Sequence, residues 1–473
     1  MFFDLNNFLN TSLNNAAQKM LNKKKLDIID SSRLNNDSEY WKKNINDIIR
    51  YCIIDSQLTK ELADYFWSMM KKTLNFLPFK PYSKGHFSEE YFMSKCYIPT
   101  IDTIPKEVLE YAYKSYYGGR FELIKKGYFP HVYCYDLKSA YPAEMVNLID
   151  FTNGHWYEVK EYDKHAYTGF YFCHISCYHD LISPFMQKME GLNVYPVGQF
   201  SQFLTQKDIE FALQHDKNIE IEIEKGYAFY PDELVYPLKE EIERLYLWKE
   251  SEKNPDIKYC IKIVLNSLYG KFIQTVSGKT GKLFNPLYAS LITANTRLKL
   301  MEIGFKYPDS IVSFSTDSVH SLIPLDLKQK RHDGLGDFAL DFQGAGVYIQ
   351  SDVYTLWNDE KRKNKFRGFC VISPEAEEIA VSDKKTLLDI LQNLKGTKYE
   401  YSKTRPLHLG ECLRHSKVHT VEDINIFTEI KKEVDINGDS KRNWSREFKN
   451  GIDVLQNQID SRPIMLMETD KDD

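Results

Sequence analysis

The stretch Asp136-Leu-Lys-Ser-Ala-Tyr-Pro142 combines a carboxylate, a turn and an aromatic ring at close spacing. The acidic residue ends an alternating run, His131-Val-Tyr-Cys-Tyr135, which is typical of a β-strand. A carboxylate at the end of a strand is suited to a metal ion that holds a polyphosphate, with backbone amides and the ring just beyond it. Taken alone, the stretch is equally compatible with an ordinary strand end.

A second motif, Lys262-Ile-Val-Leu-Asn-Ser-Leu-Tyr-Gly270, has the spacing of a helix. Lys262, Asn266 and either Tyr269 or Gly270 would share one face of that helix. A lysine there can meet phosphate oxygens as a point charge, and glycine leaves room for a close approach. Core packing explains the leucines of the segment but not the polar residues on the other side.

A third motif, Phe314-Ser-Thr-Asp-Ser-Val-His320, places Asp317 at a predicted hairpin turn. Together with Asp136 it could hold two divalent ions about 3.5–4 Å apart. One ion would lower the pKa of an attacking hydroxyl, and the other would stabilise a leaving pyrophosphate. A Thr-Asp-Ser turn is common, so this motif has little weight by itself.

The elements that must position these motifs are of mixed type, and we predict an α+β protein. Residues 1 to about 110 are predicted to be mostly helical, with Asn36 or Asp37 as the cap of a helix over 38–74. The proline-containing stretch 77–105 is predicted to link domains. Strands are predicted at 131–136, 167–177 and 218–224, two short strands within 311–323, and helices at 238–253, 256–271 and 286–305. Residues 372–450 are predicted to be mixed and largely helical.

Length and composition bound the class of protein. The chain has 473 residues, of which 42% are hydrophobic, which suffices for two or three domains. It contains no apolar run long enough to span a membrane and no signal-peptide pattern at its start, which favours an intracellular protein. Cys173 and Cys177 flank His174, an arrangement compatible with a metal site, but the strand-like alternation favours buried thiols.

The net charge of −5 does not indicate nucleic-acid binding, although a basic groove can coexist with an acidic outer surface. Among the local basic clusters, Lys361-Arg-Lys-Asn-Lys-Phe-Arg367 is the most credible segment for contacting a nucleic-acid backbone. Its alternative interpretation is a solvated surface.

In this order, the three motifs resemble motifs A, B and C of the family B DNA polymerases, whose patterns are DxxSLYP, KxxxNSxYG and YxDTDS. Tyr116-Tyr-Gly-Gly119 resembles the YxGG loop of the protein-primed branch of that family. Residues 193–229 resemble the insertion where that branch holds its terminal protein. Tyr51-Cys-Ile-Ile-Asp55 resembles the third exonuclease motif.

The resemblance implies roles for the matching residues. Asp136 and Asp317 would be the metal ligands, for two Mg²⁺ ions that Mn²⁺ could replace. The residues implied in nucleotide binding are Ser139, Ala140, Tyr141, Lys249, Lys262, Asn266 and Tyr269, with Tyr141 as the steric gate against ribose. The residues implied in DNA binding are Tyr116, Gly118, Gly119, Tyr354, Lys365 and Arg367. Tyr51 and Asp55 would be an exonuclease remnant.

The implied fold is a right-hand polymerase with an antiparallel palm, two-helix fingers, a small thumb and a truncated exonuclease-like lobe. The domain boundaries that follow are 1–110 (partial exonuclease), 111–150 (YxGG loop and palm), 151–237 (insertion), 238–285 (fingers), 286–371 (palm) and 372–473 (thumb and tail). The implied partners are template and primer DNA, deoxynucleotides and a terminal protein primer, and a second chain is a candidate source of the missing exonuclease part. No membrane partner is expected.

The sequence departs from the family pattern at several positions. Ser315 stands where the family usually has the first Asp of motif C, and Ser313 where it has Tyr. Asp352 occupies the position of the lysine in the KxY element that steadies the primer end, so Lys365 or Arg367 is a candidate for that cation. In motif A, Ala140 replaces Leu.

Two further departures concern whole segments. About 50 residues separate Lys262 from Ser313, which leaves little room for a long hairpin around the template. No upstream strand carries the DxE pair of an exonuclease, so proofreading is expected to be absent. These departures also motivate a second hypothesis, a polymerase-shaped DNA-binding or scaffold protein with weakened catalysis.

Overall fold

A computed structural model describes residues 5–30, 37–215, 217–327, 331, 334–366, 378–379, 387–406 and 427–467. Side chains are described throughout these ranges except at 378–379, 401–406 and 427–432. None of the helices within these ranges combines the length and the apolar character that crossing a bilayer requires.

Helices dominate the first part of the chain, as predicted. The helices are α1 Asn6–Leu9, α2 Leu13–Leu21, α3 Ser38–Leu74, α4 Lys84–Lys95, α5 Lys106–Lys114, α6 Ala140–Met145, α7 Gln206–His215, α8 Lys239–Ser251, α9 Pro255–Ser267, α10 Pro286–Lys306, α11 Leu387–Asn393 and α12 Gly451–Gln456. The pair α8 and α9 and the long α10 correspond to the predicted helices at 238–253, 256–271 and 286–305.

The longest helix, α3, begins and ends with residues suited to those positions. The side chain of Asp37 accepts a hydrogen bond from the Tyr40 N–H, so Asp37 is the cap, and Asn75 ends the helix in the left-handed conformation. The C-terminal half buries Leu58, Leu62 and Phe66. In the N-terminal half, by contrast, the apolar stripe faces outward: Ile45, Ile49 and Ile53 are 42–52% exposed.

The strands form one large and one smaller sheet, plus three two-stranded ribbons. The strands are β1 Phe121–Leu123, β2 Lys125–Leu137, β3 Gly154–Val159, β4 Thr168–Cys177, β5 Gln187–Met189, β6 Leu192–Val194, β7 Val197–Thr205, β8 Glu220–Pro231, β9 Thr275–Val276, β10 Lys279–Thr280, β11 Ile311–Ser315, β12 Ser318–Ser321, β13 Phe338–Gln350, β14 Val353–Trp357, β15 Arg362–Phe366, β16 Glu378–Ile379, β17 Lys398–Pro406, β18 Phe427–Asp435, β19 Asn443–Trp444, β20 Gln458–Arg462 and β21 Met465–Leu466.

The large sheet is antiparallel, in the order β1-β11-β12-β2-β13-β14-β15-β16, and β20 pairs with the first part of β2. The long strands β2 and β13 form its centre and pair with each other along most of their length. The sheet therefore brings the ends of β2, β11 and β12, which carry the first and third motifs, to one edge region.

Residues 151–237 supply four of the five strands of the smaller sheet, whose order is β21-β7-β4-β8-β3, with α7 packed on it. Cys173 and Cys177 are fully buried there. His174 bonds to Ser201 and Glu224, so the structure favours buried thiols over a metal site. The last strand, β21, runs parallel to β7, so the end of the described chain returns to this sheet.

One core connects the N-terminal helices to the helix pair. Phe66 of α3, Phe87 and Phe92 of α4, and Val264 of α9 are fully buried in the same cluster. The prediction that 77–105 is a linker was wrong, since α4 occupies much of it and donates from Ser88 Oγ to the Val264 carbonyl at 2.6 Å. The prolines lie towards the two ends of this stretch, and their use as a linker signal overlooked the apolar face of α4 between them.

The prediction that 372–450 is largely helical was also wrong within the described residues. Beside the short α11, this region contains β16, the nine-residue strands β17 and β18, and β19. Lysine and glutamate favour helix locally. Here the antiparallel pairing of β17 with β18 stabilises a hairpin instead of a helix, and Lys398 and Glu433 form a 2.8 Å ion pair across it.

Candidate functional site

The two carboxylates singled out from the sequence lie on neighbouring strands. Asp136 at the end of β2 is directly opposite Ser318, the first residue of β12. Asp317 occupies the turn just before β12, and its carbonyl accepts a hydrogen bond from the Leu137 N–H at 2.8 Å. Strand pairing therefore brings together two acidic residues that are far apart in the sequence.

The electrostatics of this pair indicate uncompensated negative charge. Desolvation, followed by the charges of Asp317 and Asp341, raises the pKa of Asp136 to about 7. Burial also raises the pKa of Asp317, and Lys365 opposes that change. Two adjacent carboxylates with raised pKa values, one of them open to solvent, are a donor set that fits hard divalent cations.

Helix α6 begins directly after Asp136 and displays the next predicted residues. Ser139 has the left-handed conformation (φ 50°, ψ 55°) that starts this helix. Its Oγ accepts a hydrogen bond from Lys249 Nζ of α8 at 2.8 Å, while Ala140 is buried. Lys249 is thus in contact with the segment that follows Asp136.

Helix α9 presents Lys262 and Asn266 to solvent and buries Ile261 and Leu265 on its other side. Burial lowers the pKa of Lys249, and the nearby charges of Lys258 and Lys262 lower it further. Lys249 also forms a 3.1 Å ion pair with Glu250. The helix pair nevertheless brings three lysines, Lys249, Lys258 and Lys262, close together. Such a cluster is suited to a polyanion.

Two members of this cluster were missed in the sequence analysis. Lys258 lies four residues before Lys262 and so extends the same helical face, a signal that was available. Lys84, at the start of α4, has its pKa lowered by burial and by the charge of Lys262. Its position could not be inferred, because it depends on how α4 packs against α9.

Three tyrosines from three separate motifs meet beside the carboxylates. The Tyr116 and Tyr269 hydroxyls are hydrogen-bonded at 2.8 Å. The rings of Tyr141 and Tyr269 lie with centroids 4.2 Å apart at an angle of 34°. Tyr141 is therefore held against the turn that follows α9 and, through Tyr269, is linked to the loop at 116–119.

The loop at 116–119 packs on the turn that carries Asp317. Gly118 has φ +81°, and its carbonyl accepts a hydrogen bond from Arg297 at 2.9 Å. An ideal Cβ on Gly119 would lie 2.9 Å from the Thr316 side chain, so only glycine allows this approach. The Thr316 N–H in turn donates to the Arg120 carbonyl at 2.6 Å.

The predicted DNA-contacting residues near the C-terminal side of the sheet have different environments. Lys365 on β15 is opposite Tyr354 on β14, and its side chain is 43% exposed. Tyr354 is only 2% exposed and packs against Tyr348 and His320, which does not suit a direct contact with DNA. Its neighbours on β14, Val353, Thr355 and Leu356, are buried as well, so this part of the strand lies within the core. Arg367 lies outside the described residues.

Asp341 and Lys363, which the sequence analysis did not single out, form an ion pair beside Asp136. Both alter its pKa, in opposite directions. Lys363 and Lys365 are two positions apart on β15 and so point to the same side of the sheet. The basic segment 361–367 therefore contributes two lysines to the carboxylate site.

The proposed exonuclease remnant lies on α3. Asp55 accepts an ion pair from Lys25 Nζ at 2.6 Å, and the same ammonium lies 4.8 Å from the centre of the Tyr51 ring. A lysine thus neutralises the carboxylate of the proposed exonuclease remnant.

Among the described residues, one group of three His, Cys, Asp or Glu side chains is close enough to share a metal: His86, Glu89 and Glu90. Both glutamates already have lysine partners, Lys271 at 3.2 Å and Lys282 at 2.8 Å. This group does not include Asp55.

A family model described as "DNA polymerase type B, organellar and viral" matches residues 5–286. The DNA polymerase of Acidianus bottle-shaped virus (isolate Italy/Pozzuoli) is 31% identical over 288 residues, which make up 56% of this chain and 42% of the viral protein. The chain thus matches less than half the length of that relative.

The fold is similar to that of phi29 DNA polymerase. The complex of that enzyme with primer-template DNA and incoming nucleotides has a TM-score of 0.62 and 17% identity, over 92% of this chain and 79% of the phi29 chain. An orthorhombic crystal form of the same enzyme has a TM-score of 0.61 and 17% identity, over 92% and 80%. At this identity the likeness concerns the fold.

Proposed function

The chain belongs to the DNA polymerases of type B, organellar and viral, and from this premise we propose that it extends a 3′-hydroxyl with deoxynucleotides under the direction of a DNA template. One observation carries the proposal: Asp136 and Asp317 are adjacent on paired strands, and Ser139, three residues after Asp136, is bonded to the cationic helix pair. A carboxylate pair beside a polyanion-binding surface is the arrangement that phosphoryl transfer requires.

The proposed substrates are template and primer DNA and deoxynucleotides. Phi29 DNA polymerase, which has this fold, binds primer-template DNA and incoming nucleotides. The lysines of α8 and α9 provide the charge for a triphosphate, while Lys363 and Lys365 provide charge beside Asp136.

In the proposed mechanism, Asp136 and Asp317 hold the two cations, Mg²⁺ or Mn²⁺. Bound divalent cations supply activation of the 3′-hydroxyl and charge neutralisation at the pyrophosphate. Lys262 and Lys249 bind the triphosphate and orient it, and the backbone of Ser139 and Ala140 adds donors beside it. Tyr141, held by Tyr269, excludes a ribose 2′-hydroxyl.

Asn266 and Tyr269 border the nascent base pair in this proposal. Asn266 is exposed on the same face of α9 as Lys262, and Tyr269 is fixed through its hydroxyl by Tyr116. Gly118 and Gly119 keep the loop at 116–119 close to the turn that carries Asp317, so the position of this loop is coupled to that of the carboxylates.

We further propose that the chain can start from a protein hydroxyl. The loop at 116–119 and the separate sheet formed by 151–237 support this, since both match features of the protein-primed branch. Incubation with the candidate primer protein and one labelled deoxynucleotide tests it. Label that stays on the protein after denaturation is the expected result, and label found only on DNA primers would contradict it.

Proofreading is proposed to be absent. The support is local: Asp55 is paired with Lys25, and its helix is neighboured by helices. A labelled primer should keep its 3′ end in Mg²⁺ without nucleotides. Degradation that Asp55→Asn abolishes would reject this proposal.

Primer extension with Asp136→Ala and Asp317→Ala tests the main proposal. Each variant should lose on the order of 1,000-fold in incorporation, since the cation site supplies several kcal/mol of transition-state stabilisation. The control is Asp309→Ala, an exposed aspartate of the same region. Incorporation that survives either site variant would contradict the proposal. A wild-type chain that binds DNA in a salt-sensitive manner without incorporation would favour the scaffold hypothesis.

A further inference from the structure

Two departures from the family pattern, in motifs 37 residues apart, meet in one buried contact. The Ser315 hydroxyl donates to Asp352 Oδ1 at 2.6 Å. The two residues are 1% and 4% exposed. Asp352 lies in the turn between β13 and β14 with φ +60°, a conformation that aspartate tolerates better than most residues. The position that carries an acid in the family is therefore a hydroxyl here, and it touches an acid that replaces the family's lysine.

The cation of the same unit comes from the next strand. Lys365 Nζ lies 3.1 Å from the same Asp352 Oδ1. Lys365 is paired across the sheet with Tyr354, two residues after Asp352, so β14 and β15 fix its position. Its side chain is 43% exposed, whereas that of Asp352 is 2% exposed. The lysine therefore keeps part of its surface open to the carboxylate site while it neutralises the buried acid.

We infer that this unit keeps the charges of the family pattern but takes each of them from a different residue. Asp352 supplies the carboxylate expected at 315, and Lys365 supplies the ammonium expected at 352. Ser315, Asp352 and Lys365 together form a positioning unit behind Asp317, in which Lys365 contacts the phosphate backbone of the primer end. This inference rests on the proposed function and specifies how its primer site is built.

The physical basis is that the buried contact of Ser315, Asp352 and Lys365 accommodates one carboxylate, that of Asp352. A second carboxylate at 315 would stand within hydrogen-bonding distance of Asp352, and the two negative charges would repel each other in a buried environment. Lys365 can balance only one of them. Replacement of Asp352 by asparagine removes that repulsion and keeps both the left-handed conformation and an oxygen acceptor.

A double-mutant cycle tests the exchange. The four proteins are the wild type, Ser315→Asp, Asp352→Asn and Ser315→Asp/Asp352→Asn, and the measurements are urea unfolding and primer-template affinity. Ser315→Asp should lower the folding equilibrium constant at least about tenfold in the wild-type background and much less in the Asp352→Asn background. Additive effects would overturn the inference.

The role of Lys365 is tested by salt dependence. Lys365→Gln should weaken primer-template binding about tenfold and reduce the slope of log affinity against log salt by about 1, while Lys365→Arg should retain both. Lys60→Gln is the control, since Lys60 also pairs with an aspartate, at 2.7 Å, but on the surface of helix α3. An unchanged affinity and slope in Lys365→Gln would overturn the assignment.

These readouts separate the inference from the proposed function. Unfolding and DNA affinity do not depend on nucleotide incorporation. A coupled cycle in a protein without extension activity would reject the polymerase proposal and leave the exchange intact. An additive cycle in an active polymerase would reject the exchange alone.

Discussion

At the scale of the residue, the site contains charged side chains of the same sign that lie close together and that the protein itself does not fully neutralise. Asp136 and Asp317 repel each other, and Lys249, Lys258 and Lys262 do the same on the helix pair. Close like charges in a protein cost stability unless a ligand of opposite charge is bound. The arrangement therefore indicates sites that are stabilised by cations on one side and by a polyanion on the other.

The ring of Tyr141 gives the first prediction. Tyr141→Val should reduce discrimination against ribonucleotides about 10- to 100-fold, because a steric barrier of about 1.4–2.8 kcal/mol would be lost. The measurement is the ratio of kcat/KM for a deoxynucleotide and the matching ribonucleotide. Tyr269→Phe, which keeps the ring stack and removes only the hydroxyl bonded to Tyr116, should leave the ratio unchanged. Unaltered sugar selectivity in Tyr141→Val would reject the gate.

The pKa of Asp136 gives the second prediction. An ordinary aspartate has a pKa near 3.9 in the unfolded chain, and the folded pKa is about 7. The folded state thus binds the proton more tightly, so this group costs stability that grows as pH rises from about 4 to about 7. At pH 8, Asp136→Asn should therefore unfold at a higher urea concentration than the wild type. Its free energy of unfolding should be larger by about 1 kcal/mol, after allowance for solvent screening.

At pH 4 the two proteins should have similar stability, because the wild-type carboxyl is then protonated in the folded state. Mg²⁺ at pH 8 should raise the melting temperature of the wild type and have little effect on Asp136→Asn. Asp309→Asn is the control and should show neither change. A pH-independent difference between wild type and Asp136→Asn would refute the interpretation.

At the scale of the element, the site is held by close contact between a loop and a turn. The loop at 116–119 continues into β1, which pairs with β11 so that Phe121 is opposite Ser315. Any shift of the loop is therefore transmitted to the turn before β12, where Asp317 lies. The glycine at 119 makes this contact possible.

Gly119→Ala is predicted to lower the rate of incorporation on the order of tenfold, since a displacement of the turn misplaces Asp317. The clash involves Thr316 Cγ2 at 2.9 Å, so Gly119→Ala/Thr316→Ser, which removes that methyl group, should recover most of the rate. Gly396→Ala, at an exposed glycine with open space around it, is the control. Single-turnover extension measures the effect. Failure of the second substitution to restore the rate would show that the contact does not act through Thr316.

At the scale of the whole molecule, a buried ionic network joins distant parts of the chain. Glu122 of β1 pairs with Arg120 and Arg442, and all three are at most 3% exposed. Arg120 and Arg442 also donate to the carbonyls of Ser183 and Leu181, at 2.8 and 2.6 Å. The network fastens the C-terminal segment and the sheet of 151–237 to the large sheet.

Glu122→Gln should lower the free energy of unfolding by about 3–5 kcal/mol, because two buried guanidinium groups lose their counter-ion. Glu224→Gln, which breaks an exposed pair with His174, should cost less than about 1 kcal/mol. Urea denaturation of both variants at neutral pH compares them. Equal losses would mean that the buried network does not determine the stability of the assembly of the two sheets.

Parts of this organisation were predictable because they depend on local pattern. Strand alternation before Asp136, the helical face of Lys262 and Asn266, and the hairpin around Asp317 each follow from spacing within about ten residues. The predicted α+β class and the predicted antiparallel sheet were confirmed. Residues 77–105 and the described part of 372–450 were predicted incorrectly, since their structure depends on packing and pairing with distant segments.

The sequence by itself determined the chemical groups of the site and their local periodicity, because backbone geometry makes side-chain direction a function of spacing. Only the tertiary structure decided which charges meet. Lys25 neutralises Asp55, and Asp352 bonds to Ser315 and Lys365, through contacts between segments that no local pattern connects. The physical reason is that a charge acts through distance in space, and only the folded chain sets that distance.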